Sequence, residues 1–324
     1  FATAGVYDVV LWATNLARSA AGTATVNVVE QPIHHVSLSG GNVAPYSSWA
    51  NAATTIQAAV DAATVPGALV LVTNGVYETG SRNGYPTGMV LGARVCIDKP
   101  VTVRSVNGPE GTVIKGKGPI GDSAIRCVIM SADATLVGFT MTTGMTRKVS
   151  DDEYEASGAA VWCVHPDATI SNCVLANNTA HYLAGGAYGG TLVDCIVVSN
   201  SATWFGGGVF RANLLRSQVE DNSALYGGGV YASDVERCRI FHNNASRGGG
   251  MYLGSIRNSI LYGNEAYQGG GAYGGQMDSC TVAGNIGPAR SGPIPGSSGG
   301  KSRVFKVSPA APTLSLNPSS VQVS

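Results

Sequence analysis

A chain of 324 residues is long enough for one large domain or two ordinary ones. Charged residues make up only 12% of it, against 44% hydrophobic residues and 44 glycines, which disfavours both a helical protein and a disordered charged tail. The formal net charge is zero, so no overall field favours nucleic acid, and no segment reaches the roughly 18 consecutive apolar residues of a membrane helix.

The first 31 residues alternate between apolar and polar side chains in the manner of β-strands, in GVYDVVLWATN and then in GTATVNVVE. They lack the basic and apolar regions of a signal peptide. We therefore expect residues 1–31 to be strands of a separate small domain, and the chain to be a fragment of a longer protein.

A helix is predicted over residues 54–64. In TTIQAAVDAATVPG, the side chains of Ile56, Ala59, Val60 and Ala63 share one helical face, and Pro66–Gly67 ends the pattern. Strand-like segments follow it directly. We expect this amphipathic helix to cover the first strands, which would otherwise leave an open edge.

The sequence then repeats every 21 or 22 residues. The reference column is Cys173, Cys195, Ser217, Cys238, Ser259 and Cys280, and an asparagine follows each member five positions later. Glycine triplets recur at 206–208, 227–229, 248–250 and 269–271. A unit this short buries nothing alone, and the triplets would break the helix of a leucine-rich repeat. The pattern predicts an all-β fold: a right-handed parallel β-helix of roughly nine coils over residues 32–286.

Each repeated column has a predicted structural role. The glycines are expected at crowded corners, and the asparagines are expected to form a hydrogen-bonded ladder from coil to coil. The cysteines alternate with serine in an inward column, so we interpret them as small core residues, with at least one of the seven unpaired.

From residue 287 the composition changes to GPARSGPIPGSSGG, a flexible linker, followed by two strand-like pieces, SRVFKV and PTLSLNPSSVQVS. Residues 287–324 are therefore predicted to be a linker and the start of another β-domain.

Several of these segments resemble known families. Residues 32–286, with SSWANAATTIQAAVDAATVPGALVLVTNGVYE at their start, resemble the pectin-lyase-like superfamily of right-handed parallel β-helices. Coils such as NSALYGGGVYAS are similar to polymorphic outer-membrane protein repeats, although Val, Ile or Leu replaces the aromatic residue expected before the asparagine. The flanks resemble a PKD-type domain (1–31) and a bacterial Ig-like domain (287–324). Together these resemblances imply a bacterial, secreted or cell-surface multidomain protein.

One column is aromatic. The residue after each glycine triplet is apolar and suits the core, so the next residue must point outward. These outward residues are Trp162, Tyr188, Phe210, Tyr231, Tyr252 and Tyr273. We expect an exposed aromatic ladder, which serves either cross-strand stacking alone or as a platform for sugar rings or another protein. Substitution of an outward Trp162 should leave the scaffold folded.

The repeat is interrupted near Trp162 by two longer loops. Sixteen residues separate Met141 from Gly158, and they include the charged stretch GMTRKVSDDEYEAS; the second loop lies around VHPD. The resemblance implies a substrate cleft on this face. For β-elimination, Lys148 or Arg147 would be the base and Ca²⁺ would be held by Asp151, Asp152 and Glu153.

Glycoside hydrolysis would instead need two carboxylates, for which Asp152 and Asp167 are candidates, with His165 nearby. A solvated loop of paired charges is the simpler interpretation. The polygalacturonase and pectate-lyase motifs are missing. We therefore predict a binding domain for a polysaccharide or a surface protein, with contacts centred on Trp162 and the two loops beside it, which include Arg147. A polysaccharide lyase, a glycoside hydrolase and a structural spacer remain alternatives; no cofactor is expected apart from Ca²⁺.

Overall fold

The computed structural model of this chain describes residues 5–14, 19–28, 30–149, 152–287 and 290–291. The first two strands, β1 (Gly5–Thr14) and β2 (Ser19–Val28), form an antiparallel hairpin in which Gly5 faces Val28 and Thr14 faces Ser19. Strand structure in the first segment is confirmed. Its membership of a PKD-type domain stays a prediction, and the predicted Ig-like strands lie outside the described residues.

The less regular half of the chain holds one helix and nine strands. In chain order these are β3 (Ile33–Val36), α1 (Ile56–Ala62), β4 (Leu69–Val72), β5 (Gly75–Tyr77), β6 (Gly92–Ile97), β7 (Thr102–Ser105), β8 (Thr112–Lys115), β9 (Ile125–Met130), β10 (Thr135–Val137) and β11 (Thr140–Thr142).

The regular half consists of short strands only. They are β12 (Val161–Cys163), β13 (Thr169–Ser171), β14 (Val174–Ala176), β15 (Thr179–Ala180), β16 (Ala187–Tyr188), β17 (Thr191–Val193), β18 (Ile196–Val198), β19 (Ser201–Ala202), β20 (Val209–Phe210), β21 (Asn213–Leu215), β22 (Gln218–Glu220), β23 (Ser223–Tyr226), β24 (Val230–Glu236), β25 (Arg239–Phe241), β26 (Asn244–Arg247), β27 (Met251–Arg257), β28 (Ile260–Tyr262), β29 (Glu265–Gln268), β30 (Ala272–Tyr273), β31 (Gln276–Asp278), β32 (Thr281–Ala283) and β33 (Arg290–Ser291).

The strands stack as a right-handed parallel β-helix, as predicted. One sheet contains nine strands in the order β32-β28-β25-β22-β18-β14-β11-β8-β5, one from each coil. A larger sheet of 17 strands forms the other long wall, and a third sheet of five strands, β15-β19-β23-β26-β29, closes the regular coils. The nine-stranded sheet confirms the predicted number of coils.

Helix α1 covers the start of the stack. The Thr55 hydroxyl accepts a hydrogen bond from the Ala58 amide at 3.3 Å and caps the helix, as short polar side chains do at helix N-termini. Ile56, Ala59 and Val60 are buried in the same core as the strands. The helix is seven residues long, shorter than the predicted 54–64 and far too short to cross a bilayer.

The interior is filled by apolar columns that run along the helix axis. The column before the asparagines is fully buried: Leu175, Val197, Val219, Ile240 and Leu261. All seven cysteines are buried and free. Burial raises the pKa of the Cys173 thiol to about 12, so that side chain stays neutral, as expected of a core residue.

The asparagine ladder is confirmed in detail. The amide nitrogen of each side chain donates to the side-chain oxygen of the asparagine one coil on, at 2.9–3.0 Å, through Asn178, Asn200, Asn222, Asn243, Asn264 and Asn285. The same oxygen also accepts from a backbone amide of the preceding coil, as between Asn200 and Asn222 at 2.9 Å. Each buried amide therefore satisfies several polar atoms at once.

The glycine triplets sit where stacked backbones crowd. Gly227 begins its triplet with φ of 66°, in the left-handed region that favours glycine. A Cβ atom added to Gly228 would lie 2.3 Å from the carbonyl oxygen of Asn244, which is backbone of the next coil. A side chain at Gly227 would collide with the Val230 carbonyl oxygen of its own coil, and one at Gly228 would force the adjacent coil to move.

We predict that Asn222→Leu lowers the free energy of unfolding by at least about 2 kcal/mol, because Asn200 loses the acceptor of two buried donors. Thermal unfolding followed by circular dichroism measures the effect. The control is Asn213→Leu, at an exposed strand position. Equal melting temperatures for the two variants would contradict the structural role of the ladder.

Gly228→Ala is predicted to lower the melting temperature substantially, since the new methyl group collides with backbone rather than with a mobile side chain. Gly22→Ala is the matched control, because a Cβ at Gly22 meets nothing within 4 Å. A Gly228 variant as stable as the Gly22 variant would show that neighbouring coils separate easily at this corner.

Candidate functional site

The predicted aromatic column forms a continuous stack. Ring centroids of consecutive members lie 4.9–5.9 Å apart and their planes differ by 4–23°, in the order Trp162, Tyr188, Phe210, Tyr231, Tyr252 and Tyr273. We call these six residues the aromatic ladder. Because each strand is in register with the next, every ring is stacked on the corresponding ring of the adjacent coil.

Exposure along the ladder differs from the prediction. Trp162 is 4% exposed and Phe210 is 3% exposed, so neither is the surface aromatic that was expected. Tyr188, Tyr231, Tyr252 and Tyr273 are half-buried. Since neighbouring rings occupy much of each ring face, these four residues present mainly ring edges and hydroxyl groups to solvent. We call them the tyrosine face.

A second row of rings packs against the ladder and explains the burial of Phe210. Phe205 meets Tyr231 edge-on at 4.9 Å, and Tyr226 meets Tyr252 in the same way at 5.4 Å. Phe210 lies in a buried cluster that also contains Leu183 and Ala184. These edge-to-face contacts hold the ladder rings in fixed orientations.

Trp162 is buried by loops that the repeat does not contain. Its indole lies in a second hydrophobic cluster, outside the β-helix interior, with Met89, Ala93, Cys96 and Ile129, and Tyr85 packs on this cluster. The ring of Tyr154 lies 5.4 Å from that of Trp162. The 80–91 segment and the 146–157 segment, of which residues 150–151 lie outside the described residues, therefore cover the first rung of the ladder.

Glu155 joins the two covering segments. Its carboxylate accepts hydrogen bonds from the amides of Val90 at 2.5 Å and Leu91 at 2.7 Å, and Arg147 lies 3.5 Å from it. Glu155 is 6% exposed, so these contacts replace the water it loses. The charged loop is thus an ordered cover at this point, rather than a freely solvated segment.

The predicted catalytic and metal-binding residues serve mainly local structure. One Asp152 carboxylate oxygen accepts from the amides of Tyr154 and Glu155, closing a turn. Arg147 pairs with Asp122 at 2.8 Å, and Lys148 is exposed. Glu153 accepts a hydrogen bond from the Tyr188 hydroxyl at 2.8 Å.

His165 and Asp167 form a separate pair. The His165 Nδ1 lies 3.1 Å from an Asp167 carboxylate oxygen, and both side chains are more than half exposed. Within the described residues, no hydrogen bond or ion pair links either side chain to Asp152 or to the 146–157 segment. Because hydrolytic carboxylates act about 5–9.5 Å apart and need no mutual contact, the pairing of Asp152 with Asp167 stays a prediction.

The predicted Ca²⁺ site lies partly outside the described residues. Among the residues that the structure describes, no three His, Cys, Asp or Glu side chains are grouped as metal ligands would be. Asp151, one of the three predicted Ca²⁺ ligands, lies outside the described residues. Calcium binding by Asp151, Asp152 and Glu153 stays a prediction.

Sequence reasoning missed two parts of this region. The 80–91 segment carries Tyr85 and Met89 to the ladder, although its length between two strands marked it as an insertion. Arg126, in the otherwise apolar strand IRCVIM, is fully buried, and its guanidinium lies 5.7 Å from the centroid of the Trp162 ring. A lone arginine in such a strand was the available signal.

Comparison with known proteins gives distant structural likenesses only. No protein-family model and no curated protein matches the chain. Among solved structures it is similar to a rhamnogalacturonan lyase (TM-score 0.40, 12% identity, 78% of this chain and 74% of that one). It is also similar to a pectin methylesterase in complex with hexasaccharide VII (TM-score 0.38, 14% identity, 80% of this chain and 80% of that one). A third similar structure is the Azotobacter vinelandii mannuronan C-5 epimerase AlgE4 A-module (TM-score 0.23, 17% identity, 75% of this chain and 93% of that one). Likeness at this level says nothing about activity, and the β-helix assignment rests on the strand pairing above.

We predict that Trp162→Ala lowers the free energy of unfolding by about 3–5 kcal/mol, as expected for a buried tryptophan in a packed cluster. This replaces the expectation of an unaffected scaffold. Trp204→Ala is the control, because Trp204 is 44% exposed. Equal denaturant midpoints for the two variants would show that the covering segments do not pack on Trp162.

Proposed function

We propose that this chain is a non-catalytic binding domain of a secreted or cell-surface protein, and that its ligand is a polysaccharide held along the tyrosine face. The observation that carries the proposal is the row formed by Tyr231, Tyr252 and Tyr273. Their rings are half-buried, parallel within 5° and spaced 4.9–5.2 Å apart. A regular ligand would meet the same chemistry at each coil.

The hydroxyl groups supply the polar contacts. Within the described part of the chain, no protein hydrogen bond occupies the hydroxyls of Tyr231, Tyr252 and Tyr273, in contrast to the Tyr188 hydroxyl, which donates to Glu153. Burial raises the pKa of Tyr231 above its ordinary value, so its hydroxyl is protonated at neutral pH. A phenol both donates and accepts, which suits the hydroxyl groups of a sugar.

Two arginines border the face. The Arg247 guanidinium lies 5.9 Å from the ring centroids of both Tyr226 and Tyr273, and Arg211 lies 5.0 Å from that of Phe210. Both side chains are exposed. They add donors beside an aromatic surface, a combination common in recognition sites.

Binding is favoured over catalysis by the way the candidate catalytic residues are used. Asp152 accepts hydrogen bonds that close a turn, and Arg147 forms ion pairs with Asp122 and Glu155. His165 and Asp167 contact each other. General acid–base work requires groups that converge on one reacting atom. A lyase or hydrolase activity, binding of a surface protein, and a purely structural spacer are the alternatives that experiment must separate.

Tyr252→Phe tests the proposal, because it removes one hydroxyl and keeps the ring in the stack. We predict that affinity for the bound polysaccharide falls about fivefold, as expected for one neutral hydrogen bond of about 1 kcal/mol. Isothermal titration against a panel of neutral and uronate-containing polysaccharides measures the change. Tyr267→Phe is the control, since Tyr267 is 87% exposed and lies off the ladder.

Other outcomes point to the alternatives. Binding that Tyr252→Phe leaves unchanged would exclude the tyrosine face. Absence of binding across the whole panel would leave the spacer or a protein partner. The same panel, incubated with and without Ca²⁺ and followed by ultraviolet absorbance of unsaturated products, tests for a polysaccharide lyase.

A further inference from the structure

Three buried hydrogen-bond donors have no partner among the described residues and belong to two side chains that lie side by side beneath the covering segments. They are the Nε and Nη1 nitrogens of Arg126 and the indole Nε1 of Trp162. Arg126 is fully buried and Trp162 is 4% exposed, and the guanidinium lies 5.7 Å from the centroid of the indole ring. Buried donors are almost always satisfied in native proteins, so a cluster of three calls for an acceptor.

Among the described residues, Arg126 also has no carboxylate in direct contact. Within the described residues, no carboxylate lies within 4.0 Å of its guanidinium, and its one hydrogen bond is donated by Nη2 to the Tyr154 carbonyl at 2.5 Å. Glu155 and Asp152 raise the pKa of Arg126 from a distance, but their carboxylates accept hydrogen bonds from backbone amides rather than from the guanidinium. Burial lowers the pKa of Arg126 to about 9, which still leaves it charged at neutral pH. A buried cation with a single hydrogen bond and no carboxylate in contact is costly.

A cleft lies beside this cluster. It has a volume of about 410 Å³ and is lined by Pro86, Thr87, Gly88, Met89, Asp152, Tyr154 and Glu155. Tyr154 separates the cleft from Trp162: its ring lies 5.4 Å from the indole, yet its side chain is 57% exposed. Because Tyr154 both lines the cleft and packs on Trp162, displacement of its exposed ring would extend the cleft towards the buried donors.

We propose that Arg126 and the Trp162 indole form a covered binding site for a carboxylate, which enters from the cleft when Tyr154 swings away. A carboxylate neutralises the guanidinium and has enough lone pairs to accept from the indole as well. A neutral hydroxyl would satisfy the donors but leave the charge. The site is independent of the tyrosine face and would exist whether or not that face binds a polysaccharide.

The indole N–H of Trp162 provides a direct readout. The chain has four tryptophans, so a ¹⁵N-labelled sample gives few indole signals, and loss of a signal in Trp162→Phe assigns this one. We expect sodium acetate to shift the Trp162 signal in a saturable manner while the signals of Trp12, Trp49 and Trp204 stay in place. Sodium glucuronate, compared with acetate, tells whether a free carboxylate suffices or whether a sugar ring must carry it.

Arg126→Met is the decisive variant, because it removes the charge and keeps much of the side-chain volume. Acetate and glucuronate should no longer shift the Trp162 signal, and neither should raise the melting temperature as they do for the unaltered chain. If Arg126→Met does not fold, Arg126→Lys replaces it and should weaken binding at least tenfold. The proposal is overturned if neither carboxylate shifts the signal, if Arg126→Met responds equally, or if sodium chloride at the same concentration has the same effect.

Discussion

Backbone hydrogen bonding between coils is the constraint on which the rest of the structure depends. It fixes the strands of successive coils about 4.8 Å apart. A side chain repeated every 21 or 22 residues therefore contacts the equivalent side chain of the next coil. Asn200 and Asn222 use that spacing to share hydrogen bonds inside the stack, and Tyr231 and Tyr252 use it to stack rings outside. Gly228 is required because the same spacing leaves no room for a Cβ atom at the corner.

The two covering segments, 80–91 and 146–157, interrupt this regular stacking. Where the repeat is interrupted, the extra chain is not left in solvent but packs on the outward face, building a second hydrophobic cluster around Trp162. Glu155 fastens this cover to the backbone of Val90 and Leu91. The aromatic ladder is consequently divided into a covered end near Trp162 and an open stretch along Tyr231, Tyr252 and Tyr273, and the two ends offer different chemistry.

The sequence predicts the regular part well because each column repeats in several coils, so periodicity alone identifies what stacks. The coil number, the asparagine ladder, the inward cysteine column and the outward direction of the aromatic column all follow from it. The burial of Trp162 cannot be predicted from periodicity, because it depends on residues that are distant in sequence, including Met89 and Tyr85. For the same reason, the sequence does not show that Asp152 accepts the hydrogen bonds that close a turn, or that Arg126 lies beside Trp162.

The central claim is that the open stretch of the ladder is the contact surface and that the covered end is not needed for it. Hydroxyl-radical footprinting of the chain with and without a bound neutral polysaccharide tests this most directly, because tyrosine side chains react strongly and are resolved one by one. We predict reduced labelling of Tyr231, Tyr252 and Tyr273, with Tyr267 and Tyr154 unchanged. Protection confined to Tyr154, or equal protection of Tyr267 and the three ladder tyrosines, would contradict the account.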